Sequence, residues 1–594
     1  GTIIGYAKGS WKDSDTRMNR VSGVAGMSAA TRTAFENAKS EINFGTPVRM
    51  SARYAEIGGK KYNPVAYVAE GGKITAKDTT AYGYGSVIAY AKNQMDGATI
   101  KSSGEIKIDG NIEAKDEWAA NDDATKPYLY KNVGGYANDG SKVTFKKDVT
   151  IRGMGGFSNG TGSMIEFEGT NNKIYSAKDG GLIAGVKNDM HLKNLTIGTG
   201  VDYKVFHRDG EYSIEQDIDL DDATNEFDRI KFLNEKIFIA PSINITSTSG
   251  KGMIIGSYDD TSVTSNATTG YENDGTVDIS GGNASTTALS TSFGTITNNN
   301  LIKLDKGVAV YGINGSKLVN NSNATIELSD KGVGMAAFTS LGTGLQTYGT
   351  DKLISTGALG NRKTVDIINN GTVTVSGNNS VGLYGELNVA SGAPGGTTLT
   401  AANGSIANNG KIVMTGDNAV GIVSKKTSLT LTGTGSSDIV VGKDGIGVYA
   451  ENTPVTINSD YGIEVKENGT GIFVKNGSDV LAPGKTLELK YSGSNTGTGV
   501  GLFYEGAAAS NIVNGTNVKL VDTVGTTGGL VGIYANNGGK LTNTADITGD
   551  KGYGIITNGT EIENTGNITL NNPIDPTKSS VGIFTQGTDK ITNS

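Results

Sequence analysis

The strongest constraint on this chain is that it repeats itself. Ile367-Ile368-Asn369-Asn370-Gly371-Thr372-Val373-Thr374-Val375-Ser376-Gly377 leads on to Val381-Gly382-Leu383-Tyr384. Moved along by 39 residues, the pattern returns as Ile406-Ala407-Asn408-Asn409-Gly410-Lys411-Ile412-Val413-Met414-Thr415-Gly416, followed by Val420-Gly421-Ile422-Val423. Two half-motifs also recur on their own. One is apolar-x-Asn-x-x-x-apolar, centred on Asn298, Asn369, Asn408, Asn514, Asn543 and Asn564. The other is a glycine before an apolar pair, at Gly382, Gly421, Gly447, Gly471, Gly501, Gly532, Gly554 and Gly582, with most steps between 22 and 31 residues. Units this short cannot bury an apolar face alone, so they must stack on their neighbours.

Within each unit the apolar residues alternate, as in Val373/Val375, Ile412/Met414, Val518/Leu520 and Ile568/Leu570. Period two over a few residues, bounded by Gly and Asn, is the pattern of a strand. About 25 residues per unit and about three strands per coil predict an all-β solenoid; propeller blades run to about 40–45 residues with antiparallel strands. At ~4.8 Å per coil, a rod of roughly 110 Å is expected. Composition fits the same picture. The chain has 88 Gly in 594 residues, and 37 of its 54 Asn fall in the last 344. Glycine and asparagine are expected at coil corners, and asparagines stacked in register are expected to form amide ladders along the axis.

The same composition removes whole classes of function. With no Cys and only two His, disulfide scaffolds, thiolate sites and most zinc chemistry are excluded. The net charge of −8 is spread in mixed sign, without the basic stripe that nucleic acid requires. No run of about 18 apolar residues is present to cross a membrane as a helix.

The expected organisation has four parts. Residues 1–142 form an irregular region with a helix at Ser28–Lys39, a projecting loop, and early coils at Ile74, Val87-Ile88-Ala89-Tyr90, Ile100, Ile106 and Ile108. Residues 143–200 are coils. Residues 201–249 are an insertion or arm with a second helix from Asp222 to Lys236, where Phe227, Ile230 and Leu233 share a face. Residues 250–594 are regular coils, with a further candidate arm at 340–365. The motif reopens at Ile591-Thr592-Asn593, so the chain is expected to be a fragment whose solenoid continues.

Few motifs carry chemistry. Ala482-Pro483-Gly484-Lys485-Thr486 lacks the first glycine of a phosphate loop, because Asp479 stands there; it is expected to be a turn into a strand. Gly83-Tyr84-Gly85 and Gly445-Ile446-Gly447 lack a third glycine and any βαβ context. Asp217, Asp219 and Asp221 share one side of an extended segment near His207, which makes them a calcium candidate or a solvated strand edge. Sequons such as Asn266-Ala267-Thr268 arise by chance in this composition. The better candidate is a ligand-binding set of aromatics in the polar stretch 116–140, namely Trp118, Tyr128, Tyr130 and Tyr136, suited to sugar stacking or protein recognition.

At Asn369-Asn370-Gly371-Thr372-Val373-Thr374-Val375 and Ser380-Val381-Gly382-Leu383-Tyr384, the chain resembles the passenger of a large fusobacterial type V (type Va) autotransporter adhesin. Val531-Gly532-Ile533-Tyr534-Ala535-Asn536 and Val581-Gly582-Ile583-Phe584 are similar blocks. The likeness is good from about 270 to 594 and only general before. It implies a right-handed parallel β-helix displayed on the bacterial surface, held in the outer membrane by a separate C-terminal barrel. It also implies a non-catalytic adhesin, monomeric and without cofactors. The expected partners are host glycans, host receptors (immune-inhibitory ones among them) and other bacteria. A β-helical carbohydrate lyase or hydrolase and a passive spacer are the alternatives. A chain without cysteines also suits export through a pore before folding.

Overall fold

The alternating segments fold as strands. A computed structural model describes residues 3–8, 40–51, 55–57, 60–62, 64–82, 85–96, 99–115, 132–175, 183–192, 195–197, 205–208, 211–221, 231–233, 236–255, 270–292, 294–313, 316–339, 347–348, 351–352, 365–387, 404–476, 480–506, 511–574, 577–586 and 590–594. Among the described residues there is no helix, and the strands stack as the coils of a parallel β-solenoid. The chain divides into two compact units, Gly1–Asn244 and Ile245–Ser594.

In the first unit, Val65–Glu70, Lys73–Ala76 and Thr79–Tyr82 form one coil. Val87–Lys92, Glu105–Ile108 and Ile112–Lys115 form the next, paired in parallel through Val65↔Val87, Ile74↔Ile106 and Thr79↔Ile112. Alternation sends every second side chain inward. Ile74, Ile106, Val143 and Ile165 thus make a column at 0 % exposure, with Phe145 against Phe167 at 5.1 Å beside it. A one-residue slip would turn that column outward, so burial fixes the register.

Several expectations for this unit need correction. Ile100 belongs to an antiparallel hairpin, Gln94–Asp96 with Thr99–Ser102, and not to a coil. The described parts of the expected arm are coil strands. Val205–Arg208 pairs with Lys231–Leu233, and Glu211–Ile214 with Lys236–Ile239. The second helix therefore does not reach Leu233 or Lys236. Three apolar residues at helical spacing are outweighed by a neighbouring coil that offers a ladder of backbone partners. Ser28–Lys39 and the first part of the second helix lie outside the described residues. So does most of the 340–365 arm, whose described part is a hairpin of Thr347–Tyr348 and Asp351–Lys352.

The second unit is the repeat made visible. Val365–Asn369, Thr372–Val375 and Val381–Leu387 supply one coil. The copy 39 residues on, Gly404–Asn408, Lys411–Met414 and Val420–Lys425, lies directly on it through Ile367↔Ile406, Val373↔Ile412 and Leu383↔Ile422. We call the sheets first, second and third, in the order the chain visits them. Each coil inserts one or two aliphatic side chains from each sheet, such as Ile367, Val373 and Leu383 at 0 % exposure. Each such side chain contributes about 1.5–3 kcal/mol on burial.

The asparagines fall into two groups. Asn369 and its equivalents end first-sheet strands and, all but the exposed Asn593, are buried. Each Nδ2 donates to the Oδ1 of the next coil. One ladder runs Asn273, Asn298, Asn320, Asn369, Asn408 at 2.8, 2.9, 2.9 and 2.8 Å. Another runs Asn514, Asn543, Asn564, Asn593 with every step 2.7 Å. The corner positions, with φ between 53° and 58°, belong instead to Asn379, Asn418, Asn452, Asn468 and Asn476. The ladder is interrupted where Leu431 and then Ile457 follow Asn408 in register. There Asn408 Nδ2 donates to the Tyr461 hydroxyl at 2.6 Å. Burial pushes the Tyr461 phenol well up, so it stays protonated. Tyr461→Phe removes that acceptor and leaves Asn408 Nδ2 only the Gly410 carbonyl at 3.1 Å. It should lower stability by about 1 kcal/mol in urea unfolding, with the third-sheet surface unchanged.

The glycine column is not at corners either. Gly382, Gly421, Gly447 and Gly471 lie within third-sheet strands without positive φ. They are glycine because the next coil comes too close for a Cβ. One built at Gly421 would lie 2.5 Å from the Gly447 carbonyl oxygen.

Candidate binding surface

What the third sheet turns outward sets it apart. In Gly469–Lys475 the inward residues are buried, while Thr470, Phe473 and Lys475 face out and are half-buried. Stacking repeats this choice in every coil, so outward side chains form columns along the axis. The first column is aliphatic except at Thr470, through Val381, Val420, Ile446, Thr470, Val500 and Val531. The second is largely aromatic, through Tyr384, Val423, Tyr449, Phe473, Phe503 and Tyr534. The third alternates in charge, through Glu386, Lys425, Glu451, Lys475 and Glu505. The outward positions of the second sheet are of another kind, as at Glu464, Glu488, Lys490 and Lys519.

The rings stack on one another. Centroids are 5.4 Å apart for Tyr449 and Phe473, 4.6 Å for Phe473 and Phe503, and 4.9 Å for Phe503 and Tyr534, with interplanar angles of 19°, 9° and 27°. Neighbouring rings therefore cover each other's faces and leave edges to solvent. A sugar stacks on a ring face, so this column is no glycan platform; it is a flat apolar surface. The Tyr449 hydroxyl donates to Glu451 Oε2 at 3.0 Å. Burial first, then that hydrogen bond, push its phenol up to about 12, so it remains a donor at neutral pH.

No protein-family model, curated protein or solved structure matches the chain. Its function must therefore be argued from its own surface chemistry.

Of the ligand-binding candidates from the sequence, Trp118, Tyr128 and Tyr130 lie outside the described residues. Tyr136 is not on a projecting loop. It belongs to the coil strand Asn132–Asn138 and stacks between Tyr90 at 4.8 Å and Phe157 at 5.0 Å. Both its faces are covered, so it is a smaller version of the aromatic column and cannot stack on a sugar. Asp217 and Asp219 do face outward from either side of buried Ile218. Asp217 Oδ1 accepts from the Asn244 backbone N–H at 2.7 Å, and Asp219 Oδ1 from the Asp221 N–H at 2.9 Å. These carboxylates hold turns, and among the described residues no three His, Cys, Asp or Glu side chains group as a metal site. His207 sits in the strand Val205–Arg208. Ala482–Thr486 makes the expected turn, with Gly484 at φ 72°, into the strand Thr486–Tyr491.

Outward carboxylates pair along the axis. Glu464 meets Lys490 at 2.8 Å, and Glu563 meets Lys540 at 2.6 Å. Burial works to raise Glu464, but hydrogen bonds from Lys490, Ser492 and Ser437 outweigh it and hold the carboxyl below its ordinary value. Glu70, Glu467 and Glu563 are held low as well. A general acid for glycoside cleavage needs the opposite shift. Among the described residues no helix is long and apolar enough to cross a membrane.

Proposed function

We propose that this chain is a non-catalytic cell-surface adhesin, and that the outer face of its third sheet is the recognition surface. One observation carries the reading: aliphatic and aromatic columns lie side by side on one outward face over successive coils. The column side chains are half-buried, apart from buried Val423 and Val531, and contiguous apolar side chains turned outward mark interaction sites. The solenoid backbone holds the columns rigid, which lowers the entropic cost of binding. Stacked rings with covered faces favour a protein partner over a glycan, which narrows the classes expected from the sequence. The surface location rests on the repeat blocks that resemble autotransporter passengers and on a cysteine-free chain.

Binding of the purified chain to bacterial and host cells tests the reading. Phe473→Ser with Phe503→Ser should weaken binding by about tenfold or more, with far-UV circular dichroism unchanged. Undiminished binding would overturn this choice of surface. Loss confined to Trp118→Ala, Tyr128→Ala and Tyr130→Ala would place recognition in residues 116–131 instead.

A further inference from the structure

We infer that Tyr90 and Tyr136 are a cross-linking pair, joined by one-electron oxidation into a dityrosine that bolts one coil of the first unit to the next. Neither ring belongs to the recognition surface proposed for the second unit. The strands that carry them, Val87–Lys92 and Asn132–Asn138, are parallel, with Tyr90 directly across from Tyr136. Side chains paired in this way leave their strands in the same direction, ~4.8 Å apart. The rings accordingly stack, with centroids 4.8 Å apart and planes 24° from parallel. A Cε carbon beside each hydroxyl therefore faces its counterpart.

What lies on either side restricts each phenol to the other. In register the column reads Val68, Tyr90, Tyr136, Phe157. Val68 has no ring, and Phe157, stacked on the far face of Tyr136 at 5.0 Å, has no hydroxyl hydrogen to lose. The aromatic column of the second unit is arranged otherwise, since Phe473 and Phe503 stand between Tyr449 and Tyr534.

The oxidant is of the peroxide class, hydrogen peroxide acting through a haem peroxidase. Each phenol gives up one electron and its hydroxyl proton, and the unpaired spin of the resulting radical spreads onto the carbons beside the oxygen. Two such carbons join. Each then loses its hydrogen as a proton while both oxygens are reprotonated, so two phenols and one peroxide give one dityrosine and two waters. The chain has no Cys, the side chain that would otherwise intercept the oxidant. Burial, with Glu70 and Asp139 nearby, pushes the Tyr90 phenol up, and burial, with Tyr90 and Asp139, does the same for Tyr136. At neutral pH both rings thus stack uncharged, without repulsion. Both are half-buried, so their protons can leave to water. The bond closes the stretch from Tyr90 to Tyr136, residues 116–131 included, and restricts the unfolded chain as a disulfide does.

Oxidation of the whole chain by a haem peroxidase with hydrogen peroxide, in solution too dilute for chains to meet, is the test. Trypsin should then release a peptide that joins 78–92 to 132–142, lighter than their sum by two hydrogen atoms. Tandem mass spectrometry should place the bond at Tyr90 and Tyr136. Tyr90→Phe and Tyr136→Phe each keep a ring in the stack, so circular dichroism should be unchanged while the joined peptide is lost. Phe473→Tyr supplies the converse, because it sets a phenol at a ring 5.4 Å from Tyr449 and 19° from parallel. It should add a second link, between 444–466 and 467–475. Dityrosine found only between chains, or a joined peptide that survives Tyr90→Phe, would overturn the pair. So would a parent without the link, whether or not Phe473→Tyr gains one.

Discussion

Alanine at Gly447 should destabilise the coils around it by at least about 3 kcal/mol, the upper end of what overpacking costs. A Cβ there would lie 2.6 Å from the Gly471 carbonyl oxygen and 2.6 Å from Ile463 Cγ2. Neither obstacle can yield. The carbonyl belongs to the backbone of the next coil, and Ile463 is β-branched, fully buried and confined in rotamer. Because stacked coils are stabilised mainly by nearest neighbours, the damage should be local. Hydrogen exchange is thus a better readout than a global melt. Amides from Val420–Lys425 to Gly469–Lys475 should exchange roughly 100-fold faster, while those beyond Leu530 stay protected. Gly515→Ala is the control, since the nearest atom to a Cβ there is 3.8 Å away. Equal protection in the two variants would show that the glycine column is dispensable.

That column marks where the sequence was informative and where it misled. Glycine before an apolar pair recurs at Gly447-Val448-Tyr449, Gly471-Ile472-Phe473, Gly501-Leu502-Phe503 and Gly532-Ile533-Tyr534. The period of the solenoid was plain in it. The conformation was not, because glycine serves a left-handed corner and a close approach equally well, and only the distance to the next coil separates them. The pair also hid its polarity. Its first member turns inward and its second outward, as Ile472 at 0 % exposure and half-buried Phe473 show. Every third-sheet aromatic of the surface was therefore present in the motif, where nothing distinguished it from its inward neighbour. The amide ladders were legible from the recurrent Asn, and Asn273 and Asn320 extend them. Their interruption at Leu431 and Ile457 was not, because an apolar residue suits that inward position as well. Trp118, Tyr128 and Tyr130 attracted notice by their irregular setting, whereas the surface described here is made by regularity.

The ladder itself gives the second large effect. Asn369→Asp replaces an amide that accepts from Asn320 at 2.9 Å and donates to Asn408 at 2.8 Å. A carboxylate still accepts from Asn320 but has nothing to donate, so two oxygens face each other across the step to Asn408. The site is at 0 % exposure, and an unpaired buried charge there should cost about 3 kcal/mol or more at neutral pH. Asn369→Ala, which leaves one donor and one acceptor short of a partner, should cost about 2 kcal/mol. The two variants should separate by pH. Burial raises the pKa of the introduced carboxyl in the folded state above its unfolded value of about 3.9. Once protonated it can donate to Asn408 as the amide did. The penalty is thus absent below the unfolded pKa, grows as pH rises toward the folded pKa, and is complete above it. Relative to the parent, Asn369→Asp should therefore recover stability as pH falls from 7 to 4, against the usual trend of acid unfolding. The deficit of Asn369→Ala should stay constant over that range. Denaturant midpoints of all three proteins across pH decide it: a deficit of Asn369→Asp that does not change with pH would mean that the carboxylate escapes to water and that the ladder yields locally.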